Sequence, residues 1–266
     1  MGSAAELRRQ VESALAERIP AALSLRPPVA PELLSCGLAE VDAVLGGGLP
    51  LGAITELTGD RSGGRTTLAL STLAEVTRQD ASCAYVDVSD ALDPVSAAAL
   101  GVDLRRLLWV RAGPSCNQPP MGPRAGGLRA EKTGWARLDH GLRATDLLLV
   151  AAGVRAIVLD MGDVPPEQAR RVPLATWYRF RLQAEKSRTL LLLLTRAACA
   201  GSCAAVSLHC RQGEIDWRQA ALSSPRLLAG LGYRVRLERS RALDLMRKKP
   251  AASAEAVWSS TTSWSR

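Results

Sequence analysis

Short apolar runs alternate with amphipathic stretches over the middle of the chain. The apolar runs are rich in Val, Ile and Leu, which is typical of buried strands, and they fall at 53–58, 82–88, 106–111, 155–161 and 189–195. Between them, apolar residues recur at helical spacing and predict helices at 65–79, 93–100, 138–152 and 167–186. Strands that alternate with helices predict an α/β fold with a mostly parallel central sheet and helices on both of its faces.

The pattern changes after residue 200. Two further strand candidates, 204–210 and 232–239, follow one another with no helix of convincing length between them. Neighbouring strands that lack a crossover helix pair antiparallel, so we expect antiparallel strands at one edge of the sheet. Residues 247–266 begin with basic residues and are then rich in Ser, Ala and Thr, which predicts a disordered basic tail. Trp258 and Trp264 are unusual in such a tail and are candidates to anchor a partner.

The remaining stretches define the domain organisation. Residues 1–30 read as an N-terminal helix and a proline-containing linker, with one apolar stripe formed by Leu7, Val11, Leu15 and Ile19. Such a helix can dock on another molecule or fold back on its own domain, and both alternatives remain open. We place the core domain at 31–246. Within it, Pro and Gly crowd residues 112–134 without periodicity, which predicts a flexible inserted loop.

The net charge and the cysteines indicate which kinds of partner the protein could bind and in which cellular compartment it is found. The net charge is +8, which permits binding to DNA or to an acidic protein without proving either. The N-terminus has no signal-like apolar run, and the leucine run at 190–194 is too short to span a bilayer. We therefore expect a cytoplasmic protein with reduced thiols and no membrane contact. The spacing of Cys199, Cys203, His209 and Cys210 argues against a zinc site because it matches no standard ligand pattern.

Residues 59–67 carry the most informative motif, Gly-Asp-Arg-Ser-Gly-Gly-Arg-Thr-Thr. It matches the phosphate-binding loop G-x-x-x-x-G-K-[ST], except that Arg65 stands in the lysine position. The loop follows a predicted strand and opens a predicted helix, where free backbone N–H groups and the helix dipole attract anions. Arginine is larger and planar, so its exchange for lysine is not conservative at a tight site. We predict a nucleotide-binding loop of doubtful hydrolytic competence, and the alternative is a relic loop that keeps the fold and binds nothing. The loop residues that we assign to the nucleotide are Gly59, Asp60, Arg61, Ser62, Gly63, Gly64, Arg65, Thr66 and Thr67.

Several segments resemble the bacterial RecA recombinase family in their order along the chain. They are the lead-in at 37–52, the degenerate loop at 59–67, Ala-Leu-Asp-Pro at 91–94 with Leu-Gly-Val-Asp at 100–103, the apolar strand 156–160 and the strand at 190–196. The likeness covers roughly residues 37–240 and implies a RecA-like fold with antiparallel edge strands. It also implies that ATP is the nucleotide, that Asp93 faces the adenine edge, and that Thr66 and Asp160 hold Mg²⁺.

The departures from that family are as informative as the matches. Ser89 stands where the family carries a glutamate that activates the attacking water, and serine is a poor base at neutral pH. Arg196 stands in the place of the nucleotide-sensing glutamine, and Ser96 replaces the tyrosine that stacks on adenine. The segments 161–166 and 197–201 are much shorter than the DNA-binding loops of a recombinase. We therefore assign no catalytic residue and expect weak ATP binding with at most a very weak ATPase.

A RecA fold with eroded catalysis and trimmed loops resembles the ImuA group, some of which are called SulA-like. That resemblance implies an adaptor in error-prone translesion synthesis during the bacterial SOS response to DNA damage, with RecA or an ImuB-like polymerase homologue as its protein partner. A RecA-like, ATP-dependent recombinase or damage sensor is the first alternative, and a SulA-like cell-division inhibitor is the second. Self-association and weak, sequence-independent DNA binding are further expectations. The residues that we assign to DNA or partner contact are Arg234, Arg236, Lys248 and Lys249.

Overall fold

The computed structural model describes residues 5, 6, 13, 31–112, 127–218, 227–241 and 254–261, and for 127–133 it describes the backbone alone. The chain divides into two compact units, Met1–Ala30 and Pro31–Arg266, and every element described below belongs to the second. The predicted N-terminal helix, with its apolar stripe, lies almost wholly outside the described residues. No helix in the described part of the chain is both long enough and apolar enough to cross a membrane.

Ten strands and six helices make up the described part of the second unit. The strands are β1 (Leu33–Leu34), β2 (Leu49–Pro50), β3 (Ile54–Thr58), β4 (Cys83–Asp87), β5 (Leu107–Arg111), β6 (Ala156–Asp160), β7 (Leu190–Leu194), β8 (Ala204–Arg218), β9 (Leu227–Ser240) and β10 (Glu255–Thr261). The helices are α1 (Ala39–Val44), α2 (Arg65–Arg78), α3 (Pro94–Ala99), α4 (Gly127–Ala151), α5 (Pro166–Arg170) and α6 (Leu174–Ser187).

The central sheet has eight strands in the order β10-β9-β8-β3-β7-β6-β4-β5. From β5 to β8 all neighbouring strands are parallel, whereas β8, β9 and β10 pair antiparallel. The predicted α/β fold, with a mostly parallel sheet and antiparallel strands at one edge, is confirmed. The short strands β1 and β2 form a separate antiparallel ladder.

Alternate residues of the parallel strands point to opposite faces and build two hydrophobic cores. On one face, Leu57 and Leu192 pack with α2 residues such as Leu68 and Leu73. On the other face, the large side chains Trp177 and Phe180 of α6 pack edge to face, 5.9 Å apart, beside α4. Helices therefore cover both faces of the parallel strands, as the sequence pattern predicts.

Two boundary predictions were wrong. The C-terminal tail was predicted to be disordered from 247 onwards, but β10 pairs with β9 over residues 255–261. Ala256 and Trp258 are buried while Val257 is exposed, so a strand-like alternation lies within a Ser-rich composition. The inserted loop was predicted to extend to residue 134, but α4 begins at Gly127. Residues 113–126 and 262–266, which include Trp264, lie outside the described residues.

Candidate functional site

The glycine-rich loop connects the end of β3 to the start of α2. Gly59, Ser62 and Gly64 have φ angles of 135°, 60° and 88°, in the left-handed region that favours glycine. A Cβ on Gly59 would lie 2.1 Å from the Cys210 carbonyl oxygen of β8, and one on Gly63 would lie 2.9 Å from it. The close approach of β8 therefore requires glycine at these two positions and fixes the shape of the loop.

An aromatic pair braces the loop at Gly64. A Cβ on Gly64 would lie 2.6 Å from Tyr233 Cδ1 and 3.1 Å from Trp258 Cζ2. The two rings are 5.3 Å apart at their centroids, and both side chains are buried. The C-terminal strands β9 and β10 thus support the phosphate-binding loop directly. Sequence reasoning missed this role because it assigned Trp258 to a tail.

Arg65, which stands in the lysine position, is buried in the fold. Its side chain is only 8% exposed, and its Nη1 donates a hydrogen bond to the Thr195 carbonyl oxygen at 2.5 Å. Burial lowers the pKa of Arg65, while the negative charge of Asp160 opposes that change. The guanidinium therefore has a structural role, because it is the hydrogen-bond donor to a backbone carbonyl oxygen just after β7. Although Arg65 lines the cleft, little of it is exposed for contact with a phosphate.

Asp160, at the end of β6, has both of its carboxylate oxygens engaged. Oδ2 accepts a hydrogen bond from the Tyr85 hydroxyl at 2.6 Å, and Oδ1 accepts one from the Gly162 N–H at 2.8 Å. Burial raises the pKa of Asp160, and these two hydrogen bonds oppose the rise. Burial, followed by the charge of Asp160, raises the pKa of Tyr85 well above its ordinary value. Tyr85 stays protonated and remains a donor over the physiological range.

Asp163 forms ion pairs with two further arginines at the mouth of the cleft. It accepts hydrogen bonds from Arg61 Nη2 at 2.8 Å and Nε at 3.1 Å, and Arg196 Nη2 lies 3.7 Å away. Arg196, in the position expected for nucleotide sensing, also donates from Nε to the Gly162 carbonyl oxygen at 3.2 Å. Asp163 was not among the predicted site residues. A carboxylate in the short turn after β6 was the available signal.

These groups surround a cavity of about 370 Å³, within the size range of small-molecule sites. The cavity brings together part of the predicted loop and its expected partners: Arg61, Ser62, Arg65, Thr66, Ser89, Asp160, Gly162 and Asp163. Asp93 does not line it. The Asp93 carboxylate instead caps α3, where it accepts hydrogen bonds from the N–H groups of Val95 and Ser96 and from the Ser96 hydroxyl. The predicted adenine contact at Asp93 therefore has no support from this geometry.

The cleft fits a phosphate group better than a magnesium ion. The glycine loop leads into the N-terminus of the 14-residue helix α2, and Thr66 is exposed there, which suits an anion. Thr66 and Asp160 lie in the same cleft, as predicted for a metal pair. However, Asp160 already accepts two hydrogen bonds and lies beside the positive charge of Arg65. Magnesium would have to compete with both.

Two of the four predicted DNA or partner residues lie on the antiparallel part of the sheet. Arg234 and Arg236 are exposed and alternate along β9, so they share a face. Arg211 of β8 lies directly opposite Arg234 and was missed by the sequence analysis. Like charges that face each other across strands destabilise a sheet, so the Arg211–Arg234 pair suits an external anion. Arg236 differs, because Glu255 of β10 lies opposite it. Lys248 and Lys249 lie outside the described residues.

This chain is similar in sequence to known proteins over a part that includes the glycine-rich loop. A family model described as the RecA N-terminal domain matches residues 20–120. Protein RecA of Rhizobium leguminosarum bv. viciae is 34% identical in an alignment of 180 residues that covers 62% of this chain and 45% of that protein. Protein RecA of Ectopseudomonas oleovorans is 39% identical over 130 residues, 48% of this chain and 31% of that protein. The chain spans less than half the length of these curated relatives. The matches support a RecA-like family, as the motifs predicted.

Proposed function

We propose that this chain is a RecA-fold accessory protein of the bacterial DNA-damage response, acting as an adaptor in error-prone translesion synthesis. The observation that carries this proposal is the position of Arg65. The residue in the lysine position is buried and bound to the Thr195 carbonyl oxygen, so the charge that would act on phosphates has a structural role. A protein that keeps the fold but uses this arginine to bind its own backbone is better suited to binding a partner than to hydrolysing ATP.

The other groups of the cleft support weak or absent hydrolysis. Ser89 lines the cavity where a base would have to activate water, and a hydroxyl cannot take a proton at neutral pH without a partner. When ATP and Mg²⁺ bind to a phosphate-binding loop, the metal neutralises the phosphate charge. In this chain, the backbone of Gly59–Gly64 and the start of α2 would hold the phosphates, while Tyr85 and Gly162 hold Asp160 in place.

The proposed partners are RecA and an ImuB-like polymerase homologue, as the resemblance to the ImuA group implies. Support for protein contact comes from three exposed apolar side chains that recur at helical spacing on α6, namely Leu174, Tyr178 and Leu182. Direct DNA contact is proposed to be weak and independent of sequence, through the arginines of β8 and β9.

An ATP-driven recombinase or damage sensor is the second candidate. It is favoured by the similarity to the RecA proteins and by the basic face that Arg211, Arg234 and Arg236 form. The short turns after β6 and β7 weigh against it, because residues 161–165 and 195–200 leave little chain to grip a DNA strand. The RecA matches do not favour a SulA-like inhibitor of cell division.

A capture experiment tests the adaptor function. The purified chain would be immobilised and exposed separately to RecA and to the ImuB-like polymerase homologue from the same bacterium, with and without single-stranded DNA. We expect saturable binding of at least one of the two proteins that survives nuclease treatment. If neither protein binds and only the DNA is retained, the adaptor proposal is wrong and the recombinase alternative gains support.

A further inference from the structure

The outer side of α6 carries an apolar stripe that no described element covers. Leu174, Tyr178 and Leu182 recur every fourth residue, and their exposed fractions are 57%, 53% and 45%. Residues spaced in this way lie one above another on a helix. The inner side of the same helix is already satisfied by Trp177, Phe180 and Ala184, which are fully buried. About half of the stripe is therefore left exposed by the described domain.

Three arginines border this stripe at the turn that follows β7. Arg239 donates from Nη2 to the carbonyl oxygens of Gly201 and Ala204, and Arg241 donates from Nη2 to those of Ser202 and Ala204. A Cβ on Gly201 would lie 4.0 Å from Leu174 Cδ1, which places the turn directly beside the stripe. Arg181, one residue before Leu182, lies near enough to affect Arg241 electrostatically.

These arginines lie close together, and none of them forms a salt bridge with a described residue. Within the described residues, neither Arg181, Arg239 nor Arg241 has an acidic partner, and the hydrogen bonds of Arg239 and Arg241 go to uncharged carbonyl groups. Burial and then the charges of Arg181 and Arg239 lower the pKa of Arg241. Crowded like charges are unfavourable, so an external negative group would relieve the repulsion.

We propose that the α6 face, defined as Leu174, Tyr178, Leu182 and the arginines 181, 239 and 241, binds an acidic amphipathic helix of a partner protein. An apolar stripe fits the apolar face of a helix, and the arginines fit carboxylates along its flank. Tyrosine and arginine are also the residue types that concentrate binding energy at protein interfaces. The inference depends on the proposed adaptor function for its biological role, and it adds a surface and a partner chemistry to that function.

Charge complementarity selects this occupant over two others. A second copy docked symmetrically would bring the same patch, and therefore the same arginines, face to face. A nucleic acid would pair with the arginines but would leave the apolar stripe without a partner. An acidic amphipathic helix satisfies both parts of the face at once.

The test uses a fluorescent synthetic helix of about 18 residues, or five turns, with leucines on one face and glutamates elsewhere. Its matched control keeps the leucines and replaces every glutamate by lysine. Anisotropy should show saturable binding of the acidic peptide to the full chain, at least tenfold tighter than the lysine peptide. Leu182→Glu and Arg181→Glu should each weaken that binding at least tenfold. Leu147→Glu, at a 71% exposed leucine of α4, should leave it unchanged, and thermal unfolding would check that each variant is folded.

Four results would overturn the proposal. The first two are equal affinity for both peptides and no binding at millimolar peptide. The third is that Leu147→Glu weakens peptide binding as much as the α6 substitutions do. The fourth is that Leu182→Glu and Arg181→Glu leave peptide binding unchanged and weaken only self-association or single-stranded DNA binding. The peptide assay needs no RecA or polymerase. If the acidic peptide binds specifically but neither protein is captured, the adaptor proposal alone is wrong. If a protein is captured and Leu182→Glu does not weaken its capture, the proposal for the α6 face alone is wrong.

Discussion

The phosphate-binding cleft and the α6 face handle their charges in opposite ways. In the cleft, Arg65 is bound to a backbone carbonyl, Asp160 accepts two hydrogen bonds, and Asp163 balances two arginines at the entrance. On the α6 face, three arginines have no acidic partner within the described residues, and three large apolar side chains are about half exposed.

The comparison distinguishes charged groups that stabilise the chain itself from charged and apolar groups that are still able to bind a partner. Polar groups that are already satisfied gain little from a new partner, because they must give up one hydrogen bond to make another. Exposed apolar groups and crowded like charges gain more when a complementary surface covers them. This contrast between the cleft and the helical face is what the proposed adaptor function requires.

The largest expected effect concerns the strand that braces the cleft. Trp258 faces inward on β10 and is 6% exposed, whereas its neighbour Val257 faces outward and is 54% exposed. Replacing a buried tryptophan by alanine removes its packing and leaves a cavity, so Trp258→Ala should lower the free energy of unfolding by about 3–5 kcal/mol. Val257→Ala should change it by less than about 0.5 kcal/mol. Urea denaturation measures both, and equal, small effects would show that β10 is not part of the folded core.

The next effect concerns the buried charge of the cleft. Arg65→Ala removes a buried hydrogen bond and leaves Asp160 without its neighbouring positive charge, so it should lower the free energy of unfolding by about 2–4 kcal/mol at pH 7. Arg61→Ala, the matched control at a 70% exposed side chain, should cost less than about 1 kcal/mol.

The cost of Arg65→Ala should also depend on pH. Because burial already raises the pKa of Asp160, its loss of a neighbouring cation favours the protonated form in the folded variant still more. The destabilisation should therefore be smallest at a pH where Asp160 is protonated in both folded proteins, because only the loss of the hydrogen bond to Thr195 then remains. It should grow as the pH rises through the raised pKa of Asp160 in the folded state. A cost that is independent of pH would show that Arg65 and Asp160 are not electrostatically coupled.

Local sequence patterns predicted the part of the fold that strong periodicity specifies. The parallel strands and the loop at 59–67 follow from runs of apolar residues and a glycine spacing, and both lie where predicted. β10 was missed because its alternation, with Ala256 and Trp258 inward, lies within a Ser- and Ala-rich composition that is typical of a disordered tail. The partners of the cleft were only partly predictable. Tyr85 and Asp163 reach it through tertiary contacts 75 and 102 residues apart in sequence.

The smallest expected effect concerns DNA at the exposed arginines of β9. If Arg234 and Arg236 contact phosphates, each alanine substitution should weaken single-stranded DNA binding a few-fold regardless of sequence and reduce the salt slope by about one. Arg105→Ala, at a 90% exposed arginine on another part of the domain, is the matched control. Titration over a range of salt concentrations measures the slope. Binding that persists at high salt would indicate base contacts in place of phosphate contacts.

The rate of ATP turnover shows whether the cleft is a hydrolytic site, because Arg65 and Asp160 already bind groups of the chain itself. Without a base at Ser89 and without a free cation at Arg65, the purified chain should hydrolyse ATP at a background rate, and single-stranded DNA should not change that rate. Removal of one transition-state group commonly costs about 10²–10³-fold in rate, and here two are altered. A DNA-stimulated rate like that of an ordinary recombinase would contradict the account.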